Sequence, residues 1–159
     1  MLNDYQITRV WEGMIAAETR ALYFGDLTAR HTRQKQWITG LSFFLSSGAA
    51  ASIIAQFPAW IAASLALIVA AITAYAMAVN LDGRIATMSK LQASWSQIAN
   101  LYDHLWNHTN DDDAESQLSK IIEREREPSE LAATSAPNDE KLMARWETRV
   151  FAMRHLDPA

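Results

Sequence analysis

Two histidines and a run of aspartates carry the residue types best suited to chemistry in this chain. His104 and His108 are four residues apart, so they share one face of a helix, and Asp111 to Asp113 follow at once. Imidazole and carboxylate groups are common zinc ligands, but a solvated helix end gives the same pattern. No Glu stands between the histidines in a His-Glu-x-x-His arrangement, so a zinc protease is not indicated. The two histidines are therefore only weak metal candidates.

Other signatures of catalysis are missing from the sequence. The chain has no cysteine, which excludes a cysteine nucleophile, disulfides and cysteine-ligated zinc. It contains neither a glycine-rich phosphate loop nor a Gly-x-Ser-x-Gly elbow. The net charge of -4 gives no basic face of the kind that nucleic-acid binders show. We therefore expect a protein that is not an enzyme, uses no cofactor and binds no nucleic acid.

The charge distribution points instead to a membrane. The tract 36–81 contains no Asp, Glu, Lys, Arg or His, while 1–35 and 82–159 are rich in charge. A transmembrane helix needs about 20 mostly apolar residues, and both 37–57 and 60–81 meet that length. Between them lies Pro58, which lacks an N–H and disfavours helix in the residue before it. The tract therefore predicts a transmembrane hairpin.

A soluble helical hairpin buried in a core is the alternative, but long soluble helices nearly always expose a charged face, and neither span has one. The first residues lack a basic region followed by an apolar one, so we expect no signal peptide. Basic residues flank the tract on both sides, with Arg30, Arg33 and Lys35 before it and Arg84 and Lys90 after it. The positive-inside rule thus predicts cytoplasmic termini and an outward-facing turn at Pro58.

Small and polar residues within the spans are candidates for a pore lining or for helix packing. They are Thr39, Ser42, Ser46, Gly48, Ser52 and Gln56 in the first span, and Ala66, Ala70 and Thr73 in the second. The hydroxyl groups fit either a pore wall or ordinary packing in which each bonds back to its own helix. Ala66, Ala70 and Thr73 belong to a small-residue face that we expect to meet a protein neighbour, because small residues let helices approach closely in lipid.

Neither span holds an ionisable side chain, which disfavours an ion-coupled transporter. Two helices cannot enclose a channel, so a pore would need a homo-oligomer. The predicted fold is an all-α membrane protein, with a two-helix transmembrane hairpin and long cytoplasmic N- and C-terminal helices.

The flanking regions are predicted to be helical as well. Residues 1–35 read as an amphipathic helix, and 82–109 as a heptad-type helix that follows a bend at Asp82-Gly83. The apolar seam of the second helix could pair with the N-terminal helix of the same chain or with a neighbouring subunit; the intrachain pairing is favoured. That seam consists of Leu91, Trp95, Ile98, Tyr102 and Leu105.

The region 110–159 is predicted to hold an acidic turn, a short helix, a linker and a last helix. Pro128 is expected to stop the short helix, and 129–138 to form the linker. The last helix, over 139–156, carries an apolar stripe that must dock on the bundle, a partner or the membrane surface. The stripe is Leu142, Trp146, Val150 and Met153.

The arrangement resembles the SLATT group, the two-transmembrane effector domains associated with SMODS nucleotidyltransferases and SLOG sensors. The resemblance covers roughly Thr8 to Trp106 and lies in ALYFGDLTARHTRQKQW, the hairpin, and ATMSKLQASWSQIANLYDHLW. It implies a bacterial anti-phage effector of the inner membrane, which oligomerises and permeabilises the membrane when a cytosolic nucleotide-signalling or sensor protein reports infection. The alternative is a non-conducting anchor or scaffold that recruits a cytosolic partner enzyme.

Overall fold

The computed structural model describes residues 1–46 and 58–154, and this part of the chain is helical with no strand. The chain divides into two compact units. We call Met1–Leu27 with Thr87–Ala159 the polar unit, and Thr28–Ala86 the apolar unit. The helices are α1 (Asp4–Ser46), α2 (Ala59–Val79), α3 (Leu81–Trp106), α4 (Ala114–Ser135) and α5 (Glu140–Met153).

The first helix is longer than the sequence pattern predicts. A boundary was expected between 1–35 and 37–57, but α1 runs without interruption from Asp4 to Ser46. The change from charged to apolar side chains at Gln36 alters what surrounds the helix and not its backbone. Every interior N–H and C=O is bonded within the helix, so the same conformation suits water and lipid. The remainder of the expected first span, including Phe57, lies outside the described residues.

The core of the polar unit forms where α1 packs against α3. All five residues of the predicted seam are buried, together with Met88 one turn earlier. The facing residues of α1 are Val10, Met14, Ile15, Ala17, Ala21, Tyr23, Phe24 and Leu27. The seam of α3 is therefore covered within the chain, as the intrachain pairing predicts.

Gly13 lets α1 and α3 approach closely at one point. A Cβ atom built at Gly13 would lie 2.5 Å from Cζ of Tyr102, a side chain with no exposed surface. Burial raises the pKa of Tyr102, and the Glu125 carboxylate raises it further, so the ring packs as a neutral group. A glycine within a helix usually weakens it. In the structure Gly13 makes room for a buried aromatic ring.

Pro128 does not end a helix, so that prediction is wrong. The helix α4 continues through Pro128 to Ser135, and only 136–138 remain of the predicted linker. An interior proline costs about 3 kcal/mol, because it removes one backbone hydrogen bond and crowds the preceding turn. Pro128 is itself buried, with Ile121 buried before it and Leu131 packed on the core after it. Packing on both sides holds the helix together across the proline.

The last helix, α5, docks on the polar unit. Leu142 and Val150 of its predicted stripe are buried and Trp146 is half-buried, but Met153 is 50% exposed. The Asp139 side chain caps the helix by accepting a hydrogen bond from the Leu142 N–H, at 3.0 Å. The stripe thus covers the core of the same chain and ends before Met153.

Polar contacts fix both ends of α5. At its start, the Tyr23 hydroxyl donates to the Pro137 carbonyl, at 2.5 Å. At its end, Arg154 donates to Glu18, at 3.1 Å, and to Asp103, at 3.0 Å. Burial alone would lower the pKa of Arg154, but the two carboxylates raise it above its usual value. The guanidinium therefore stays charged and links α5 to both α1 and α3.

Replacing Gly13 with alanine tests the close approach of α1 to α3. We expect Gly13→Ala to lower the free energy of unfolding by about 1–3 kcal/mol, because the added methyl group overlaps a buried ring that cannot move away. Thermal unfolding of the detergent-solubilised protein, followed by circular dichroism, measures the change. The control is Gly25→Ala, whose nearest atom belongs to the exposed Gln92 amide, at 3.0 Å, which can rotate aside. Equal stability of the two variants would contradict the prediction.

Candidate membrane surface

One helix in the described residues is long and apolar enough to cross a membrane. The helical run Ala66–Trp106 contains an 18-residue window with a mean hydropathy of 1.6, of which 6% is buried. The 21 residues of α2 extend about 32 Å at 1.5 Å per residue, close to the roughly 30 Å of a bilayer core. The length, composition and low burial of this helix suit a membrane-spanning segment.

The apolar unit exposes large side chains on both of its long helical segments. Trp37 is 80% exposed, Phe43 77%, Leu67 73% and Met77 76%. Soluble monomers rarely leave so much apolar surface in one region, and such surfaces mark contacts with a membrane or with another protein. We call the exposed apolar side chains of α2 and of α1 from Trp37 onward the apolar surface.

The packing of α2 against α1 uses the bulky side of α2. A groove between them is lined by Ile38 and Leu41 from α1 and by Ala71, Ile72 and Tyr75 from α2, with others. Residues of α2 that are half-buried recur at helical spacing along this side: Ile61, Val69, Ile72, Ala76 and Val79. This half-buried side forms the seam within the unit, while the bulky Ile68 and Tyr75 at its edge are exposed, at 51% and 54%.

The small-residue face of α2 stays uncovered. Ala63, Ala66, Ala70 and Ala74 are all exposed. The expected protein neighbour of this face is therefore not the described part of α1.

Three of the predicted polar candidates line one groove of the apolar unit. Thr39 and Ser42 from α1 and Thr73 from α2 share it with Lys35 and Asp82. The Thr73 hydroxyl donates to the Val69 carbonyl, at 2.9 Å, so it is bonded back to its own helix. Ala66 and Ala70 lie outside this groove. The Ser46 side chain and the residues Gly48, Ser52 and Gln56 lie outside what the structure describes.

The chain turns at Asn80, and the predicted bend at Asp82-Gly83 is wrong by two residues. Asn80 adopts the left-handed conformation, with φ 47° and ψ 54°, and both Asp82 and Gly83 lie in the first turn of α3. Asparagine tolerates this conformation better than other residues with a Cβ. Its side-chain oxygen also accepts a hydrogen bond from the Gly83 N–H, at 3.2 Å, and so caps α3.

An ion pair marks the same end of the apolar unit. The Lys35 Nζ lies 2.5 Å from Asp82 Oδ1, and both side chains are well exposed, at 48% and 76%. Exposed ion pairs contribute little to stability. The Lys35–Asp82 pair instead marks the end of the apolar unit at which charged side chains begin. Sequence reasoning missed this pair. The signal available was that Lys35 and Asp82 are the two charged residues that flank the uncharged tract.

The two weak metal candidates form an aromatic stack. The rings of His104 and His108 lie with their centroids 4.3 Å apart and their planes 12° from parallel. Nδ1 of His108 lies 2.8 Å from the His104 carbonyl, which can only accept, so this nitrogen carries a proton. No group of three His, Asp or Glu residues in the described part of the chain is placed to hold a metal ion.

Comparisons of the chain with protein-family models, with curated proteins and with solved structures find no match. The resemblance to the SLATT group thus stays a prediction from the sequence. The protein's function has to be inferred from its own residues, above all from the apolar surface and the small-residue face of α2.

Tryptophan fluorescence can test whether the apolar surface contacts lipid. In nanodiscs of brominated phosphatidylcholine, we expect strong quenching that is mostly lost in the double variant Trp37→Phe/Trp60→Phe, because Trp37 and Trp60 are 80% and 70% exposed. Trp106→Phe is the control, since Trp106 lies in the polar unit and contacts Trp11. Quenching of the double variant as strong as that of the wild type would contradict the assignment.

Proposed function

We propose that this protein is a membrane effector that crosses the bacterial inner membrane twice, self-associates through the small-residue face of α2, and permeabilises the membrane on a cytoplasmic signal. The observation that carries the proposal is the state of α2. This helix has the length of a bilayer core, contains few fully buried residues, and leaves Ala63, Ala66, Ala70 and Ala74 exposed while its half-buried side faces α1.

The charges at the boundary of the apolar unit support the proposed topology. Lys35 and Asp82 pair at one end of the unit, and Arg30, Arg33 and Arg84 lie in the same stretches of sequence. With the basic flanks inside, α1 would enter the membrane near Trp37 and α2 would return to the cytoplasm near Asn80. Both termini, and the whole polar unit, are then cytoplasmic.

We expect self-association because a bilayer favours close packing of small residues over contact between bulky ones. Lipid tails solvate leucine and isoleucine as well as another helix does, so bulky side chains alone give no reason for helices to associate. Exposed small residues differ, because they allow close backbone contact that lipid cannot match. The row Ala63, Ala66, Ala70 and Ala74 is thus the surface of α2 best suited to a second copy of the chain.

The conducting path would be shared between copies. Thr39 and Ser42 line one groove with Thr73, and Ser46 and Ser52 continue the same helix-forming sequence toward the outer side. The hydroxyl of Thr73 is bonded to its own backbone, so Thr39 is the better candidate for contact with water. The polar unit, with its own core and its docked α5, is the part able to receive the signal.

Cysteine cross-linking tests the proposed interface directly, because the natural chain has no cysteine. We expect Ala70→Cys to form a disulfide-linked dimer in native membranes under mild oxidation, since this position lies at the centre of the small-residue face. Ser64→Cys is the matched control: Ser64 is exposed on the same helix but lies outside that face. A dimer that forms equally well at both positions, or at neither, would rule out this interface.

Membrane potential is the readout for permeabilisation. Strong expression in a bacterial host, with the activating signal where it is known, should depolarise the cells, as reported by a voltage-sensitive dye. Ser46→Leu and Ser52→Leu should each reduce the depolarisation, because leucine would block a hydroxyl-lined path. The control is Ile68→Leu, which conserves the volume of an apolar side chain on α2 and should leave the depolarisation unchanged. Cells that keep their potential under full activation would exclude a pore.

A non-conducting anchor is the second candidate, favoured by the separate core of the polar unit and by the concentration of charge there. Exchanging 36–81 for an unrelated two-span hairpin discriminates between the two functions. An anchor would keep its activity after this exchange, whereas an effector that works through its own spans would lose it.

A further inference from the structure

A small notch in the polar unit is lined by nitrogen donors. It lies between α3 and α4 and has a volume of about 130 Å³. Its floor is apolar and the rest of its lining is one histidine, one amide, one ammonium and one guanidinium group. The lining residues are Leu101 and His104 from α3 and Gln117, Lys120, Ile121 and Arg124 from α4. None of the lining residues carries a carboxylate, although the Gln117 amide already donates to the neighbouring Asp113 carboxylate, at 2.8 Å.

Helical spacing explains how α4 separates its charges. Gln117, Lys120 and Arg124 recur every three or four residues and so share one face of α4. Glu123 and Glu127 follow Lys120 and Arg124 at a spacing of three residues, but neither glutamate lines the notch. Glu127 pairs with Lys90, at 3.0 Å, and Glu130 pairs with Arg126, at 2.9 Å. None of the ion pairs in the described part of the chain involves the two cations of the notch.

The two cations of the notch lie close enough on α4 to bind one anion together. Lys120 and Arg124 are four residues apart, and like charges at this spacing repel on a helix. Both are exposed, and neither has a described acidic partner. An oxyanion bound between them would remove this repulsion and accept charge-assisted hydrogen bonds, which are about twice as strong as neutral ones.

The histidine stack holds the third donor in place. The ring of His104 lies against that of His108, whose Nδ1 donates to the His104 carbonyl. The hydrogen bond orients the ring of His108, and the exposed ring of His104, which lines the notch beside Lys120 and Arg124, stacks on it. A donor that is fixed before a ligand arrives loses less conformational entropy on binding.

We propose that this notch binds a phosphoryl group, carried by a phosphate-bearing small molecule or by a lipid headgroup. Lys120, Arg124 and His104 would donate to its oxygens. The notch is too small for a whole drug-sized ligand, for which pockets of about 300–1,000 Å³ are usual, so the remainder of the molecule would extend outward. The proposal does not depend on the pore or on the anchor, because all six lining residues belong to the polar unit.

Phosphorus NMR of inorganic phosphate can test the site on the full chain in an uncharged detergent. Wild-type protein should broaden the phosphate signal in a saturable way at constant ionic strength. The double variant Lys120→Gln/Arg124→Gln should weaken this binding about tenfold or more, because two charge-assisted hydrogen bonds are lost. The matched control, Arg126→Gln/Lys141→Gln, makes the same change in net charge away from the notch. Circular dichroism verifies that both variants are folded.

The outcomes are distinct. Loss of broadening in the notch variant alone supports the site. Absence of saturable broadening in the wild type, or equal loss in the two variants, overturns it, since only net charge would then matter. For a supported site, the measurement is repeated in phosphatidylcholine nanodiscs with and without phosphatidylglycerol. Displacement of phosphate only when phosphatidylglycerol is present identifies a lipid headgroup, and unchanged binding identifies a soluble phosphate.

Discussion

The lack of charge between Gln36 and Leu81 is the constraint on which the other features depend. A helix such as α2 loses about 25 cal/mol for each Å² of apolar surface left in water, and large side chains such as Leu67 and Met77 are left mostly exposed by its own chain. Its stability in this state therefore requires lipid or other copies of the protein. Lys35 and Asp82, which pair with each other, flank this uncharged tract on its two sides, and the turn at Asn80 lies next to its last residue.

The polar unit differs from the apolar unit, because it buries its apolar residues within its own core. Its core forms where α1 approaches α3 closely, because Gly13 leaves room for the ring of Tyr102. The helix α5 packs on this core as well. The cover by α5 is modest in area, since only Leu142 and Val150 of its stripe are buried. The hydrogen bonds of Tyr23 and Arg154 therefore contribute to holding α5 in place alongside its buried apolar area.

Features set by local chemistry were predictable from the sequence, and features set by packing were not. Pro58 directly precedes α2, and the seam from Leu91 to Leu105 is buried, because a proline and a heptad spacing act over a few residues. The passage of α4 through Pro128 was not predictable, since it depends on burial of side chains on both sides of the proline. The donor-lined notch was missed for a similar reason. His104 was noticed as half of a metal pair, but its neighbours Lys120 and Arg124 come from another helix.

The arrangement of α2 bears on the choice between an assembling and a solitary membrane protein. A solitary hairpin gains most by burying its small residues at the contact between its own two helices, because close approach is worth more than contact that lipid can replace. Here the side of α2 that faces α1 is the bulky one, with Ile72 and Tyr75 lining the groove beside Ile38. The small residues are left on the outside, where they contribute nothing unless another helix meets them. A chain whose exposed alanines on α2 do not meet the described part of α1 is better matched to assembly than to anchorage alone.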